Sequence, residues 1–196
     1  MTETRRRSER GGGERLRAEL VDAAITLLLD PASTGTPSLR AIARACGVAP
    51  SAVYMHFPSQ AELMYAVVDQ LFARLRTALD AADSPGAEPR ERLDAMIDAY
   101  LHWSQEHPGA YQLLFERPDP PPDTGIGPGL DLLGRLRDAL AAVAPAADDA
   151  LALRVWSVAH GIASLRLHKP EAPWRTTPAD DAHLIVTALL GADAQH

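Results

Sequence analysis

The chain has 196 residues, 46% of them hydrophobic, which is enough apolar material to bury a core and excludes global disorder. Its net charge of -7 argues against a generally basic nucleic-acid binder, yet residues 1–60 carry net +2 and residues 61–196 net -9. The single cysteine, Cys46, excludes an intramolecular disulfide framework and a thiolate metal cluster.

The N-terminal segment 1–13 is basic and rich in glycine. It reads MTETRRRSERGGG, and nothing in it can nucleate a core, so we predict a flexible basic arm. The arm is either a solubilising tail or a contact to DNA phosphates or a minor groove. Residues 14–30 then carry an apolar helical stripe that ends at Pro31, which predicts the first helix.

Two short helices are predicted next. Ser38 is a plausible N-cap, and the apolar spacing of residues 39–46 predicts a helix with one buried face. Gly47 stands where the chain must turn, because glycine accepts positive φ without steric cost. Pro50 fits the first position of a third helix, and Phe57 points inward from its end.

The remainder of the chain is also helical in pattern. Ser59 to Glu62 matches a capping box and predicts a fourth helix that reaches about Ala82. Proline-rich loops are predicted at 117–128 and 169–178, and no strand pattern occurs. We therefore expect an all-α protein of about nine helices, divided into an N-terminal part at 14–60 and a larger helical part at 61–196. The other predicted helices cover 88–106, 110–116, 129–143, 147–168 and 178–191.

A helix, a tight glycine turn and a second short helix together define a helix-turn-helix, whose second helix enters the major groove of DNA. Residues 38–68, SLRAIARACGVAPSAVYMHFPSQAELMYAVV, resemble the signature of the TetR family of bacterial transcriptional regulators. The resemblance implies a homodimeric repressor that binds a palindromic double-stranded operator and is released by a small-molecule effector. It also implies that residues 14–60 form the DNA-binding domain and residues 61–196 the regulatory and dimerisation domain. The matching positions are Ile42-Ala43, Gly47-Val48, Tyr54, Phe57 and Glu62-Leu63.

The same resemblance assigns DNA contacts. Tyr54 matches a tyrosine that contacts phosphate, although its ring could instead pack against the first helix. Two departures from the family pattern stand out: Gln60 replaces a lysine that contacts phosphate, and Ala49 replaces a capping Ser or Thr. The residues assigned to DNA are Ser38, Arg40, Pro50, Ser51, Ala52, Tyr54, Met55 and His56.

Residues 154–168 contain Trp156, His160 and Gly161, and residues 99–116 contain His107-Pro108-Gly109, Tyr111 and Phe115. These segments resemble the C-terminal domain of a TetR subgroup named for its Trp and His-Gly residues. Gly161 has no side chain and would let another helix come close. Aromatic residues are scarce, yet several fall in the helices that wall the ligand pocket of that family. Two interpretations stay open: a pocket for a small hydrophobic or aromatic ligand, or an aromatic core without a cavity. The candidate ligand residues are Tyr100, Trp103, His107, Tyr111, Phe115, Trp156 and His160.

The ninth helix carries the apolar residues Ala182, Ile185, Val186, Leu189 and Leu190, more than one subunit needs, and this predicts a homodimer through the last two helices. No metal-binding pair, nucleophile motif or glycine-rich phosphate loop is present, so we expect no enzyme, no metal and no cofactor. A purely protein-binding helical module is the other alternative. Without a signal peptide or a membrane-length apolar run, we expect a cytoplasmic protein without membrane contact.

Overall fold

The architecture comes from a computed structural model that describes residues 3–30, 36–116 and 129–193. The described residues form nine helices and no strand, so the predicted all-α class is confirmed. None of these helices is long and apolar enough to cross a membrane. The helices are α1 (Glu3–Leu29), α2 (Leu39–Ala45), α3 (Pro50–His56), α4 (Gln60–Ala82), α5 (Pro89–Glu106), α6 (Pro108–Phe115), α7 (Leu130–Val143), α8 (Asp149–His168) and α9 (Pro178–Asp193).

The chain divides into two compact units, and the division lies inside α4 after Leu71. The first unit holds α1, α2, α3 and the first half of α4, together with the described residues 113–116. The second unit holds the rest of α4, α5, most of α6, and α7 to α9. The sequence pattern predicts a boundary inside or beside the fourth helix, with the ranges divided after residue 60.

In the first unit, local signals set the lengths of the two short helices. Ser38 caps α2 by accepting a hydrogen bond at Oγ from the Ala41 backbone N–H, 3.2 Å away. Gly47 has φ of 67°, the left-handed conformation that ends a helix without strain in glycine. α3 begins at Pro50 without a side-chain cap, because Ala49 has no polar group to offer. The core that α1, α2, α3 and α4 share contains Leu20, Ala24, Ile25, Ile42, Val53, Phe57, Leu63 and Val67.

In the structure α1 begins at Glu3 rather than at residue 14, so the described part of the predicted arm is helical. Nucleating a helix is costly, because the first turn fixes several residues for one hydrogen bond, but an existing helix extends by one hydrogen bond per residue. Arg and Glu favour extension, whereas each glycine at 11–13 opposes it by about 1 kcal/mol. The sequence argument weighed the glycines and did not consider that the helix predicted after them could extend back through them.

In the second unit, α5 packs against α7, α8 and α9, and α8 also contacts α7 and α9. Both α5 and α8 begin at acidic caps: Glu88 and Glu91 form a capping box, and Asp148 accepts from the Leu151 backbone N–H at 2.8 Å. The predicted loop at 117–128 lies outside the described residues. The core of this unit includes Leu75, Leu93, Ile97, Leu101, Leu140, Leu151, Val155, Ala182 and Val186.

Candidate functional site

The surface of α3 exposes large side chains that a soluble helix would ordinarily bury. Met55 is 82% exposed and Tyr54 52% exposed, while Val53 and Phe57 on the opposite face are fully buried. The two buried residues fix the helix against α1 and α2, and the exposed pair is left for another molecule. Ser51 is exposed beside them, which gives this short helix one mixed, outward-facing surface.

The remaining predicted DNA residues lie around that surface. Arg40 and Pro50 are exposed, and Ala52 and His56 are half-buried. Ser38 is exposed as well, and its Oγ accepts the capping hydrogen bond of α2, which leaves its hydroxyl hydrogen free to donate. The fold therefore exposes, at least in part, all eight residues that the resemblance assigned to DNA.

Gln60 has a role that the sequence did not reveal. Its side-chain amide donates a hydrogen bond to the Pro37 carbonyl at 3.1 Å, and so joins the start of α4 to the segment before α2. The sequence pattern alone gives no indication of this hydrogen bond. The departure from the family pattern thus replaces a charge with a tie between two elements of the helix-turn-helix.

Arg17 on α1 was also missed by the sequence reasoning. Its guanidinium lies 4.6 Å above the centre of the Phe57 ring, at the end of α3, in a cation–π contact. Gly13 lies one turn earlier on α1, and a Cβ placed there would stand 3.7 Å from Cε1 of His56. The first helix therefore runs beside the C-terminal end of α3 and places a positive charge there.

Four of the seven predicted ligand residues form an aromatic cluster in the second unit. The hydroxyl of Tyr111 donates to the His160 carbonyl at 3.1 Å and lies 3.1 Å from His160 Nδ1. The Tyr100 hydroxyl is 3.2 Å from the same Nδ1, and the Trp156 ring centre is 5.3 Å from that of His160. We call Tyr100, Tyr111, Trp156 and His160 the aromatic cluster.

The polar atoms of the aromatic cluster bind to one another. Burial raises the pKa of the Tyr100 phenol well above its ordinary value of 10, and the Tyr111 hydroxyl acts in the same direction. A hydrogen bond with Trp156 acts in the opposite direction, and since an indole N–H can only donate, Tyr100 is the acceptor. The phenol of Tyr100 is thus held neutral as a hydrogen-bonding group.

The other three predicted ligand residues are Trp103, His107 and Phe115. Trp103 is buried and stacks on His107, with ring centres 5.2 Å apart, and the Trp103 carbonyl is 3.1 Å from His107 Nδ1. Phe115 is half-buried and falls in the first unit. Two open clefts of about 340 Å³ occur elsewhere, and neither is lined by a predicted ligand residue.

Large apolar side chains are exposed on both α8 and α9. At Gly161 in α8, no atom outside its own helical backbone lies within 4 Å of the place where a Cβ would stand. Within the described part of the chain, no other helix therefore comes into van der Waals contact at Gly161. We call the exposed large apolar residues of these two helices the α8/α9 surface; they are Leu153, Trp156, Leu165, Leu184 and Ile185.

The loop between α8 and α9 is held by Arg166. The guanidinium lies 4.1 Å above the Trp174 ring and donates to Asp181 Oδ2 and the Thr176 carbonyl, both at 2.7 Å. The hydroxyl of Thr176 donates to the other Asp181 oxygen at 2.6 Å. These hydrogen bonds, from Thr176 first and Arg166 second, lower the pKa of Asp181 from its ordinary 3.8. The two helices of the apolar surface are thereby joined by a structured connection.

Comparisons with known proteins agree with this arrangement. A model described as "Bacterial regulatory proteins, tetR family" matches residues 20–67, and a model described as "Tetracyclin repressor-like, C-terminal domain" matches residues 93–189. HTH-type transcriptional regulators of Mycobacterium bovis and Mycobacterium tuberculosis are 32% identical over 139 residues. That alignment covers 68% of this chain and 59% of the length of these curated relatives.

Solved structures share the fold across nearly the whole chain. A TetR transcription regulator from Haloarcula marismortui superposes with a TM-score of 0.72 at 16% identity, covering 91% of this chain and 98% of its own. A TetR-like transcriptional regulator from a Rhodococcus species gives a TM-score of 0.65 at 20% identity, covering 91% and 94%. With both ends of the fold matched by models of one family, the chain belongs to the TetR family of transcriptional regulators.

Proposed function

We propose that this protein binds double-stranded DNA as a homodimer and represses transcription from a palindromic operator until a small hydrophobic or aromatic effector releases it. The observation that carries the proposal is the outward surface of α3. Tyr54 and Met55 are exposed there on a helix whose opposite face is anchored by buried Val53 and Phe57. A braced short helix with this exposure suits insertion into a major groove.

The chemistry of the exposed side chains divides them into two roles. Ser38, Arg40, Tyr54 and His56 can donate hydrogen bonds to phosphate oxygens, which would set the register of the protein on the duplex. Pro50, Ser51, Ala52 and Met55 would face the base edges. Since Ala52 and Met55 are apolar, we expect them to contact thymine methyl groups, with Ser51 as the polar reader.

The α8/α9 surface supports the homodimer. Leu184 is 72% exposed, and four further large apolar residues accompany it on two adjacent helices. A second copy related by a twofold axis would cover this surface in a four-helix arrangement. Gly161 suits close approach of the partner helix, because the space above it is open in the subunit. A symmetric pair would read two half-sites separated by one helical turn or a multiple of it.

The effector is proposed from the apolar and aromatic character of the second unit. Tyr100, Trp103 and Tyr111 are buried there, and His107 and His160 supply polar groups. Since the polar atoms of the aromatic cluster already bind one another, a ligand would have to replace some of these hydrogen bonds. Linkage requires that effector and operator weaken each other's binding by the same factor.

Selection of bound sequences from a random pool of duplex DNA by the full chain tests the DNA-binding proposal. We expect enrichment of a palindrome, followed by gel shifts whose affinity falls steeply with salt. Arg40→Ala should reduce the slope of log K against log salt by about 1, whereas Met55→Ala should change base preference and leave the slope unaltered. Met96→Ala in the second unit is the matched methionine control. A pool without enriched sequences would refute the proposal.

A further inference from the structure

We propose that Tyr111 on α6 is a positioning residue for the dimer interface. It holds His160 in place and, through the aromatic cluster, orients Trp156 on the α8/α9 surface. The position of α6 and the affinity of the two subunits for each other are therefore coupled. This inference rests on the homodimer of the proposed function. It adds a regulatory contact inside the subunit that controls how well the two subunits bind.

The first step is the grip of Tyr111 on His160. One phenol oxygen contacts two different atoms of that residue, the backbone carbonyl and Nδ1, each at 3.1 Å. A hydroxyl has a single hydrogen, and the carbonyl can only accept, so Tyr111 donates there and meets Nδ1 through its oxygen lone pairs. Both the backbone and the ring of His160 are therefore held by one side chain from another helix.

The second step connects His160 to Trp156. The two residues are four apart on α8 and share one face, with ring centres 5.3 Å apart. Tyr100 adds a second link, because its hydroxyl contacts His160 Nδ1 at 3.2 Å and also hydrogen-bonds with Trp156. Rotation of the indole would break that hydrogen bond and the ring contact together. The orientation of Trp156 thus depends on groups from α5 and α6.

The third step carries the effect to the surface. Trp156 is 38% exposed, and it is the largest of the apolar residues on the α8/α9 surface. Buried aromatic anchors supply much of the binding energy at protein interfaces. Tyr111 is itself 0% exposed and so cannot touch a second copy. Any effect of Tyr111 on dimer affinity must therefore pass through the interior of the subunit.

The test measures the dimer dissociation constant of the full chain by analytical ultracentrifugation. Tyr111→Phe removes one oxygen and keeps the ring, and we expect dimerisation to weaken about tenfold, as for one lost buried hydrogen bond that orients an anchor. Tyr100→Phe should also weaken dimerisation, and it replaces Tyr111→Phe in the test if that variant does not fold. Ser104→Ala is the matched control, because it removes another buried hydroxyl, bonded at 2.7 Å to the Leu101 carbonyl of its own helix.

A double-mutant cycle separates positioning from general destabilisation. In a Trp156→Phe background, Tyr111→Phe should have no further effect on the dissociation constant, because its route to the surface has been removed. An effect of equal size in both backgrounds, or a Tyr111→Phe dimer within twofold of the unaltered protein, would overturn the inference. A chain that sediments as a monomer at every concentration would refute the homodimer itself, which is a distinguishable outcome.

Discussion

Alanine in place of Gly161 should have opposite effects on the subunit and on the dimer. In the subunit, the new Cβ meets nothing within 4 Å, and the position lies in the middle of α8. Alanine is favoured over glycine in a helix interior by about 1 kcal/mol. The isolated subunit should therefore gain stability of that order, equivalent to roughly 2–4 °C in Tm for a chain of this length.

In the dimer, the same methyl group would occupy the space that a partner helix needs. Adding a methyl to a well-packed contact costs about 1–3 kcal/mol, which corresponds to a dimer dissociation constant raised roughly 5- to 150-fold. Gly134 in α7 provides the control, since a Cβ there also meets nothing within 4 Å and the helix lies outside the proposed interface. Gly134→Ala should stabilise the protein and leave the dissociation constant unaltered.

Two measurements distinguish these effects. Analytical ultracentrifugation gives the dissociation constant of each variant, and urea unfolding at high dilution gives the stability of the subunit. The reasoning would be refuted if Gly161→Ala dimerised as tightly as the unaltered chain and matched Gly134→Ala in stability. The open space above Gly161 would then be a solvent-exposed surface with no partner.

Three further outcomes follow from the contacts of single residues. Gln60→Ala should lower operator affinity about two- to fivefold, as for one lost exposed hydrogen bond, without changing the slope of log K against log salt. Gln60→Lys should raise that slope by about 1. A lower slope for the alanine variant would show that Gln60 contacts phosphate directly. The hydrogen bond from Thr176 lowers the pKa of Asp181 in the folded protein. The ionised Asp181 carboxylate therefore stabilises the fold above its unfolded pKa near 3.8, and this stabilisation is lost as the pH falls through the lower folded pKa. In Asp181→Asn, the free energy of unfolding in urea should therefore depend less on pH below about pH 4. An unaltered acid profile would contradict this. Ile42→Ala should cost about 2–5 kcal/mol in urea unfolding, whereas exposed Met55→Ala should change stability by less than about 0.5 kcal/mol; equal losses would contradict the assigned faces.

The helix-turn-helix was predictable to within a residue because its limits are set by local chemistry. The Ser38 cap, the positive φ at Gly47 and the proline at position 50 each act within one turn of the chain. The start of α1 was not predictable in the same way. There, unfavourable glycines compete with extension from a helix stabilised by distant packing partners, and a local pattern cannot weigh that competition.

The candidate ligand residues show a similar division. The spacing of Trp156 and His160 correctly placed them on one face of α8. Their hydrogen-bond partners come from Tyr100 and Tyr111, 60 and 49 residues away from His160 in the chain. Whether such groups line a pocket or bind one another depends on distances of a few tenths of an ångström, which no sequence spacing encodes.

The amino-acid sequence alone determined the all-α class, the short paired helices and the resemblance to one family of regulators, because helix periodicity, caps and turns are local properties. Only the tertiary structure decided which apolar residues remain exposed on α8 and α9, that Gln60 ties α4 to the segment before α2, and that Tyr111 holds His160. These features depend on which helices approach one another, and that is the outcome of packing the whole chain.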